Sequence, residues 1–234
     1  MKIGAIIFSR MSSTRLPGKA LIQINKKVLI ERVIERTLEI NNIDHVCLST
    51  SINSEDDQII EIAKKYKIDT FRGSLNNVTK RGFNAANYFK YDKILRICGD
   101  RPFFNVSLYE DLISKARESD FDLLTNIFPR TVPPGLTGEI IKVEAIKKTL
   151  SLTKNSFDLE HVTRFIYKNP KLFSIKNFIF YNNPDIIKLR LVVDDVDDLN
   201  RASFIAKATE NLSPRDDFKM VIEMAKKYDN LNDK

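Results

Sequence analysis

The chain contains no tryptophan, two histidines and two cysteines in 234 residues, and these shortages remove several kinds of site at once. Cys47 and Cys98 each stand inside an apolar, strand-like run, so buried reduced thiols are expected rather than a disulfide or a metal cluster. With His45 and His161 as the whole histidine complement, a zinc cluster is not expected. No aromatic cage is assigned, because the 15 phenylalanines and 7 tyrosines read as core and strand residues. Long apolar runs are absent too. The first, Ile3 to Phe8, is only about six residues long before Arg10, too short for a signal-peptide core or a membrane span. A cytoplasmic protein without a membrane partner is therefore expected. No Pro/Gly/Ser-rich linker, internal repeat or low-complexity tract divides the sequence, which predicts one domain over residues 1–234. The net charge of +7 is spread over lysines interleaved with acids, as in Lys64-Lys65 and Lys226-Lys227, and no nucleic-acid motif accompanies it. Nucleic acid is not an expected partner.

What is present is an alternation of strand-like and helix-like segments through the first half, the pattern of a largely parallel sheet with helices on both faces. Strands are predicted at 3–9, 44–50, 68–71, 92–98 and 122–126, with helices at 28–40, 54–66, 76–90 and 107–118 between them. Pro129, Pro133, Pro134 and Gly135 then mark a long loop suited to a wall of the active site. Helices at 143–151 and 158–168, strands at 172–179 and 187–193, and helices at 195–208 and 214–228 complete the expected count.

The first strand runs into Arg10-Met11-Ser12-Ser13-Thr14-Arg15-Leu16-Pro17-Gly18-Lys19, which holds three cations, several hydroxyls and no acid. Open α/β sheets place their ligands at this strand end. Guanidinium, ammonium, hydroxyl and backbone N–H groups suit a polyphosphate, and Pro17-Gly18 fixes a turn that presents them together. A solvated basic loop is the other reading. A Walker-type loop is not present, since Ser13 stands where its first glycine belongs and Ala20 where its metal-binding hydroxyl belongs.

Asp100 follows the strand ending in Ile97-Cys98-Gly99, so its carboxylate emerges at the same sheet edge, where a magnesium ligand would be useful. Asp194 is the first polar residue after Leu189-Arg190-Leu191-Val192-Val193 and is placed to meet Asp100 across a metal ion. Asp197 and Asp198 fall in the first turn of the next helix and favour its dipole. A turn or cap role is the alternative for Asp100.

These residues resemble the cytidylyltransferases that activate acidic sugars, the family of 3-deoxy-manno-octulosonate cytidylyltransferase, and especially its spore-coat polysaccharide branch. The resemblance runs from Arg10 and the segment 13–19 through Ser49-Thr50-Ser51 with Asp56-Asp57, Phe71-Arg72-Gly73-Ser74 with Val78 and Arg81, and Gly99-Asp100 with Pro102. It continues with Gly135-Leu136 and Glu139, Glu160-His161-Val162-Thr163, and Val193-Asp194 with Asp198-Leu199. It implies an α/β, Rossmann-like nucleotidyltransferase fold with a mostly parallel mixed sheet flanked by helices. CTP would be held by Arg10, Ser13, Arg15 and Lys19, and Mg2+ by Asp100 and Asp194, with Arg10, Arg15, Lys19 and Asp100 carrying the catalysis. Ser49, Thr50, Ser51 and Arg81 match regions lining the nucleotide, and Arg72, Arg101, Glu139 and His161 the acceptor side. A homodimer is also implied.

Three departures stand out. Ser12 replaces a glycine usual in that branch, Arg101 follows the metal aspartate where smaller or acidic residues are usual, and Pro134 to Glu139 lacks the aspartates often seen there. The leading expectation is CMP transfer from CTP to an acidic sugar. A phosphorylated acceptor giving a CDP-linked product is the alternative, motivated by Arg101 and Arg130. A glycosyltransferase using Asp195-Val196-Asp197 as its metal motif ranks low, because that triplet reads as a helix start and the first loop would then lack a purpose. His161 beside Glu160 suits either a catalytic base oriented by its neighbour or a structural contact.

Overall fold

The computed structural model describes residues 1–180 and 183–232. Its strands are β1 (Ile3–Phe8), β2 (Gln23–Ile24), β3 (Lys27–Val28), β4 (His45–Ser51), β5 (Asp69–Gly73), β6 (Lys93–Cys98), β7 (Leu123–Thr125), β8 (Glu139–Lys142) and β9 (Ile175–Asn177). Its helices are α1 (Leu29–Leu38), α2 (Asp57–Lys65), α3 (Val78–Tyr88), α4 (Val106–Glu118), α5 (Val143–Leu152), α6 (Ser156–Glu160), α7 (Arg164–Lys168), α8 (Pro184–Ile187), α9 (Val196–Ala208) and α10 (Phe218–Asn232).

Seven strands form one sheet in the order β5-β4-β1-β6-β8-β7-β9, and β2 pairs with β3 in a separate hairpin. Strands β5, β4, β1 and β6 run parallel, β8 is antiparallel to both its neighbours, and β7 and β9 are parallel. This is the mostly parallel mixed sheet expected. Because successive side chains of a strand point to opposite faces, β1 divides its apolar residues between two cores. Ile3, Ala5 and Ile7 join the core built with α1, α2, α4, α9 and α10, whereas Ile6 joins the one built with α3, α5 and α7. Helix α1 inserts Leu29, Ile30, Val33 and Ile34, all fully buried, on the first face. Asn77 and Asn105 cap α3 and α4 by accepting the Lys80 and Leu108 N–H groups.

The expected strand at 187–193 is not a strand. Asn183 and Pro184 start the short helix α8, and residues 189–193 belong to no helix or strand. They are held instead by Leu191 N–H donating to the Pro134 carbonyl at 2.8 Å and Val193 N–H to the Asp100 carbonyl at 2.9 Å. The expected helix at 158–168 is two helices, because His161 leaves helical geometry at φ −104°, ψ 87°. The 172–179 strand is confined to β9, and β8 and the β2–β3 hairpin were not expected.

Candidate active site

The backbone after β1 leaves the carboxyl edge of the sheet beside β4, with Ser9 N–H donating to the Ser49 carbonyl at 3.2 Å. The Met11 carbonyl then accepts from Ser13 N–H at 2.8 Å and Gly18 N–H at 3.1 Å, folding the basic loop back on itself. Gly18 makes that return with φ +69°, in the left-handed region that favours glycine. Asp56 anchors the loop from below. Its fully buried carboxylate accepts from Met11 N–H at 2.7 Å, Thr50 Oγ1 at 2.8 Å, Ser51 N–H at 3.0 Å and the Ser51 hydroxyl. Burial pushes the Asp56 carboxyl up, but the bonds from Ser51, Met11 and Thr50 outweigh it and hold the group below the usual carboxylate range.

Across the cleft, β6 ends at Gly99, where an added Cβ would stand 2.8 Å from the Ser9 side chain and 3.0 Å from the Phe8 carbonyl oxygen. The missing side chain lets Asp100 approach the basic loop. The Val193–Asp100 backbone bond brings Asp194 to the same place. Lys19 Nζ lies 2.9 Å from Asp100 Oδ2, 2.9 Å from Asp194 Oδ1 and 3.1 Å from the Val193 carbonyl oxygen. Arg15 pairs with Asp194 at 3.0 Å, and Arg10 pairs with Glu160 while donating to the Leu75 carbonyl. Burial pushes the Lys19 ammonium down, but Asp100 and Asp194 together raise it above the ordinary lysine value. Asp194 answers in kind: burial raises it, and Lys19, Arg15 and Arg190 bring it below the usual range.

These groups line a cavity of about 490 Å³, and Arg10, Ser13, Arg15, Lys19, Arg81, Asp100 and Asp194 all reach its wall. Ser12, Arg96, Cys98 and Glu160 line it as well. Arg96 could have been found in the sequence as a lone cation inside the apolar strand Ile94-Leu95-Arg96-Ile97. Arg81 is 2% exposed, donates through Nη1 to the Ser74 carbonyl at 2.8 Å, and has no carboxylate partner among the described residues. Burial lowers its pKa to about 10, and the like charge of Arg10 adds to the effect. The Nε atoms of Arg81 and Arg96 and the Ser12 hydroxyl are buried without a hydrogen-bond partner, so three orphaned polar groups belong to this wall. Buried donors without partners cost stability.

Ser49, Thr50, Ser51 and Arg72 are not on the wall. The three hydroxyl residues are fully buried, and two of them support Asp56 as described. Arg72 is taken up by the Ser51 and Asn53 carbonyls and by Asp57 at 2.6 Å. A second cavity of about 340 Å³ shares Arg96 and His161 with the first and holds Arg101, Arg130, Glu139 and Tyr167. Glu139 is 1% exposed, pairs with Arg96 and accepts from the Tyr167 hydroxyl at 2.7 Å. Glu160 is engaged by Arg10 rather than orienting His161, whose ring sits edge-on to Phe157. Burial holds the His161 imidazole below its ordinary value against the raising effect of Glu160. Asp195 caps α9 by accepting Asp198 N–H at 2.9 Å, and neither it nor Asp197 lines either cavity.

A mostly parallel sheet whose first loop delivers cations to one carboxylate after the neighbouring strand β6 and to another on a segment bonded beside it fits the site of a nucleotidyltransferase. The chain belongs to the cytidylyltransferase family, CTP-dependent enzymes whose family model, described as Cytidylyltransferase, matches residues 4–214. A cytidylyltransferase structure from Leptospira borgpetersenii superposes with a TM-score of 0.90 at 27% identity, covering 99% of this chain and 96% of that one. The spore coat polysaccharide biosynthesis protein SpsF of Bacillus subtilis is 28% identical over 82% of this chain and 81% of its own length. A 3-deoxy-manno-octulosonate cytidylyltransferase of Geotalea daltonii is 29% identical over 61% of this chain and 56% of its own. Among the described residues no helix is long and apolar enough to cross a membrane.

Proposed function

We propose that the protein transfers CMP from CTP to an acidic sugar, a precursor of surface polysaccharide, and releases pyrophosphate. The observation that carries this reading is the Lys19 ammonium held 2.9 Å from both Asp100 and Asp194, in a chain of the cytidylyltransferase family. The names of the two sugar-pathway relatives support the acceptor class.

In this reading Arg10, Ser13, Arg15 and Lys19 hold the triphosphate, and Arg81 supplies a cation that no carboxylate already occupies. Ser49, Thr50 and Ser51 act through Asp56, which fixes the loop, and Arg72 braces the turn after β4. The residues suit a magnesium ion. No group of three acidic, histidine or cysteine ligands exists among the described residues, but two carboxylates already converge on one cation, and magnesium takes one or two carboxylates together with phosphate oxygens. Such an ion, when bound, neutralises charge on the α-phosphate and the departing pyrophosphate. The acceptor oxygen attacks the α-phosphorus in line, the bond from that phosphorus to the bridging oxygen breaks, and pyrophosphate leaves. The task of the chain is charge neutralisation and alignment, which Arg10, Arg15 and Lys19 perform on the nucleotide and Arg101, Glu139 and His161 on the acceptor. The reading extends to one catalytic domain, acting in the cytoplasm as a homodimer of twice 27.0 kDa, which light scattering would measure.

The test is pyrophosphate release with each ribonucleoside triphosphate, magnesium, and a panel of sugar acids and phosphorylated sugars. CTP with an acidic sugar is expected to give signal, and product mass separates a CMP-linked from a CDP-linked product. Lys19→Ala and Asp100→Asn are each expected to abolish release while circular dichroism stays unchanged. Full activity in both variants would overturn the reading.

A further inference from the structure

The charge of the second cavity is not balanced within the protein. Arg96 is matched by Glu139, and Arg164 and Lys168 share Asp158. Arg101 and Arg130 have no carboxylate partner among the described residues. Arg101 donates to the Thr137 carbonyl at 2.7 Å and Arg130 to the Val132 carbonyl at 3.2 Å, so both guanidiniums are spent on neutral oxygens and keep their charge. Burial holds the Arg130 pKa below the ordinary arginine value, and the nearby Arg101 charge adds to that. Both positions are fixed in advance. Arg101 follows Asp100 directly, and the loop carrying Arg130 is pinned by Thr131 N–H to the Asn126 carbonyl at 3.0 Å and by Asn177 Nδ2 to the Pro129 carbonyl at 3.1 Å.

We propose that the acidic sugar is used in a phosphorylated form, with a phosphate-class dianion seated between Arg101 and Arg130 in the second cavity and the reacting oxygen of the sugar toward Asp100 and Asp194 in the first. A carboxylate brings one negative charge and leaves one of the two guanidiniums uncompensated. A phosphate monoester brings about −1.5 to −2 at neutral pH and three acceptor oxygens, enough to engage both forks. Arg96 and His161 line both cavities, so the two adjoin. This inference rests on the cytidylyl-transfer reading, because it takes the first cavity to be occupied by the nucleotide.

The test is a calorimetric titration of inorganic phosphate into protein loaded with magnesium and a non-hydrolysable CTP analogue, so that the anion positions of the first cavity are filled. Acetate at matched ionic strength is the carboxylate control. Phosphate is expected to bind at one site, at least tenfold more tightly than acetate, and Arg101→Gln and Arg130→Gln are each expected to weaken it tenfold or more. Arg130 is on an exposed loop, so its variant keeps the test decisive if Arg101→Gln disturbs folding. Unchanged phosphate affinity in Arg130→Gln, or acetate bound as tightly as phosphate, would overturn the proposal. If the analogue itself does not bind, the nucleotide reading falls separately, and the same comparison of phosphate between wild type and variants in unloaded protein still decides the seat.

Discussion

Replacing Lys19 by methionine is expected to let the nucleotide-free protein bind a divalent cation far more tightly than the wild type does. On the proposed reading the ammonium occupies the position such an ion would take, 2.9 Å from each of two carboxylates, and must leave before the ion can enter. A hydrogen bond between charged groups contributes about 1.5–3 kcal/mol, so giving up two costs at least about 3 kcal/mol. Taking the lower bound is appropriate, because Lys19, Asp100 and Asp194 are 17%, 24% and 17% exposed and water screens part of the attraction. At about 1.4 kcal/mol per factor of ten, the wild type should bind the ion about a hundredfold more weakly than Lys19→Met. A triphosphate would offset that cost by offering Lys19 new anionic partners, which makes metal and nucleotide binding cooperative. The assay is manganese titration followed by electron paramagnetic resonance, without nucleotide, on the wild type, Lys19→Met, and Lys19→Met combined with Asp194→Asn. Equal manganese affinity in the first two, or tight binding that survives loss of Asp194, would refute the reasoning.

Arg81→Met is expected to weaken CTP at least tenfold in calorimetry yet leave thermal stability unchanged or raised, since it removes a buried guanidinium that has no carboxylate partner. Arg36→Met should destabilise the protein by about 3–5 kcal/mol in urea denaturation, because Arg36, 3% exposed, ties Pro102, Phe104 and Pro214 to Asp217 and its removal leaves that carboxylate buried alone. Asp56 has a folded-state pKa below its unfolded one, so its stabilisation is present above the unfolded value and is lost as pH falls through the folded value. Denaturation midpoints measured downward from pH 5 should therefore fall more steeply for the wild type than for Asp56→Asn. Cys98 lines the first cavity, whereas burial pushes the Cys47 thiol up to about 12, so iodoacetamide should label Cys98 alone and CTP should slow it, as mass spectrometry would show.

The parallel half of the sheet was legible because its signals are local. Strands β1 and β6 are near-continuous apolar runs, and asparagine caps mark the helices that follow β5 and β6. The segment after Lys188 misled for a physical reason. Leu189, Leu191 and Val193 do alternate and are 5%, 2% and 0% exposed, but period-two burial reports only that one face is covered. Whether the backbone enters a ladder depends on a distant partner, and here the available acceptors are the Pro134 and Asp100 carbonyls. Strand β8 failed in the opposite sense, being four residues long, containing Glu139, and acquiring its strand geometry from β6 and β7.

The site divided along a similar line. The contiguous basic loop is visible in the sequence, whereas Ser49, Thr50 and Ser51 are placed on the nucleotide side by the resemblance alone, and no local signal shows that Thr50 and Ser51 turn inward to Asp56. Distance alone does not sort its cations; pairing does. Arg10, Arg15 and Lys19 each have a carboxylate, so the cations of the loop are already neutralised within the protein and a ligand must exchange with its acids. Arg81, Arg101 and Arg130 donate to carbonyl oxygens, have no carboxylate partner among the described residues, and hold a standing positive charge in the two cavities. The first group therefore sets when a ligand binds, because its acids must be drawn off by a competing cation. The second sets what binds, because only an anion relieves it, and on the proposed reading selectivity for the acceptor follows from its two members in the second cavity.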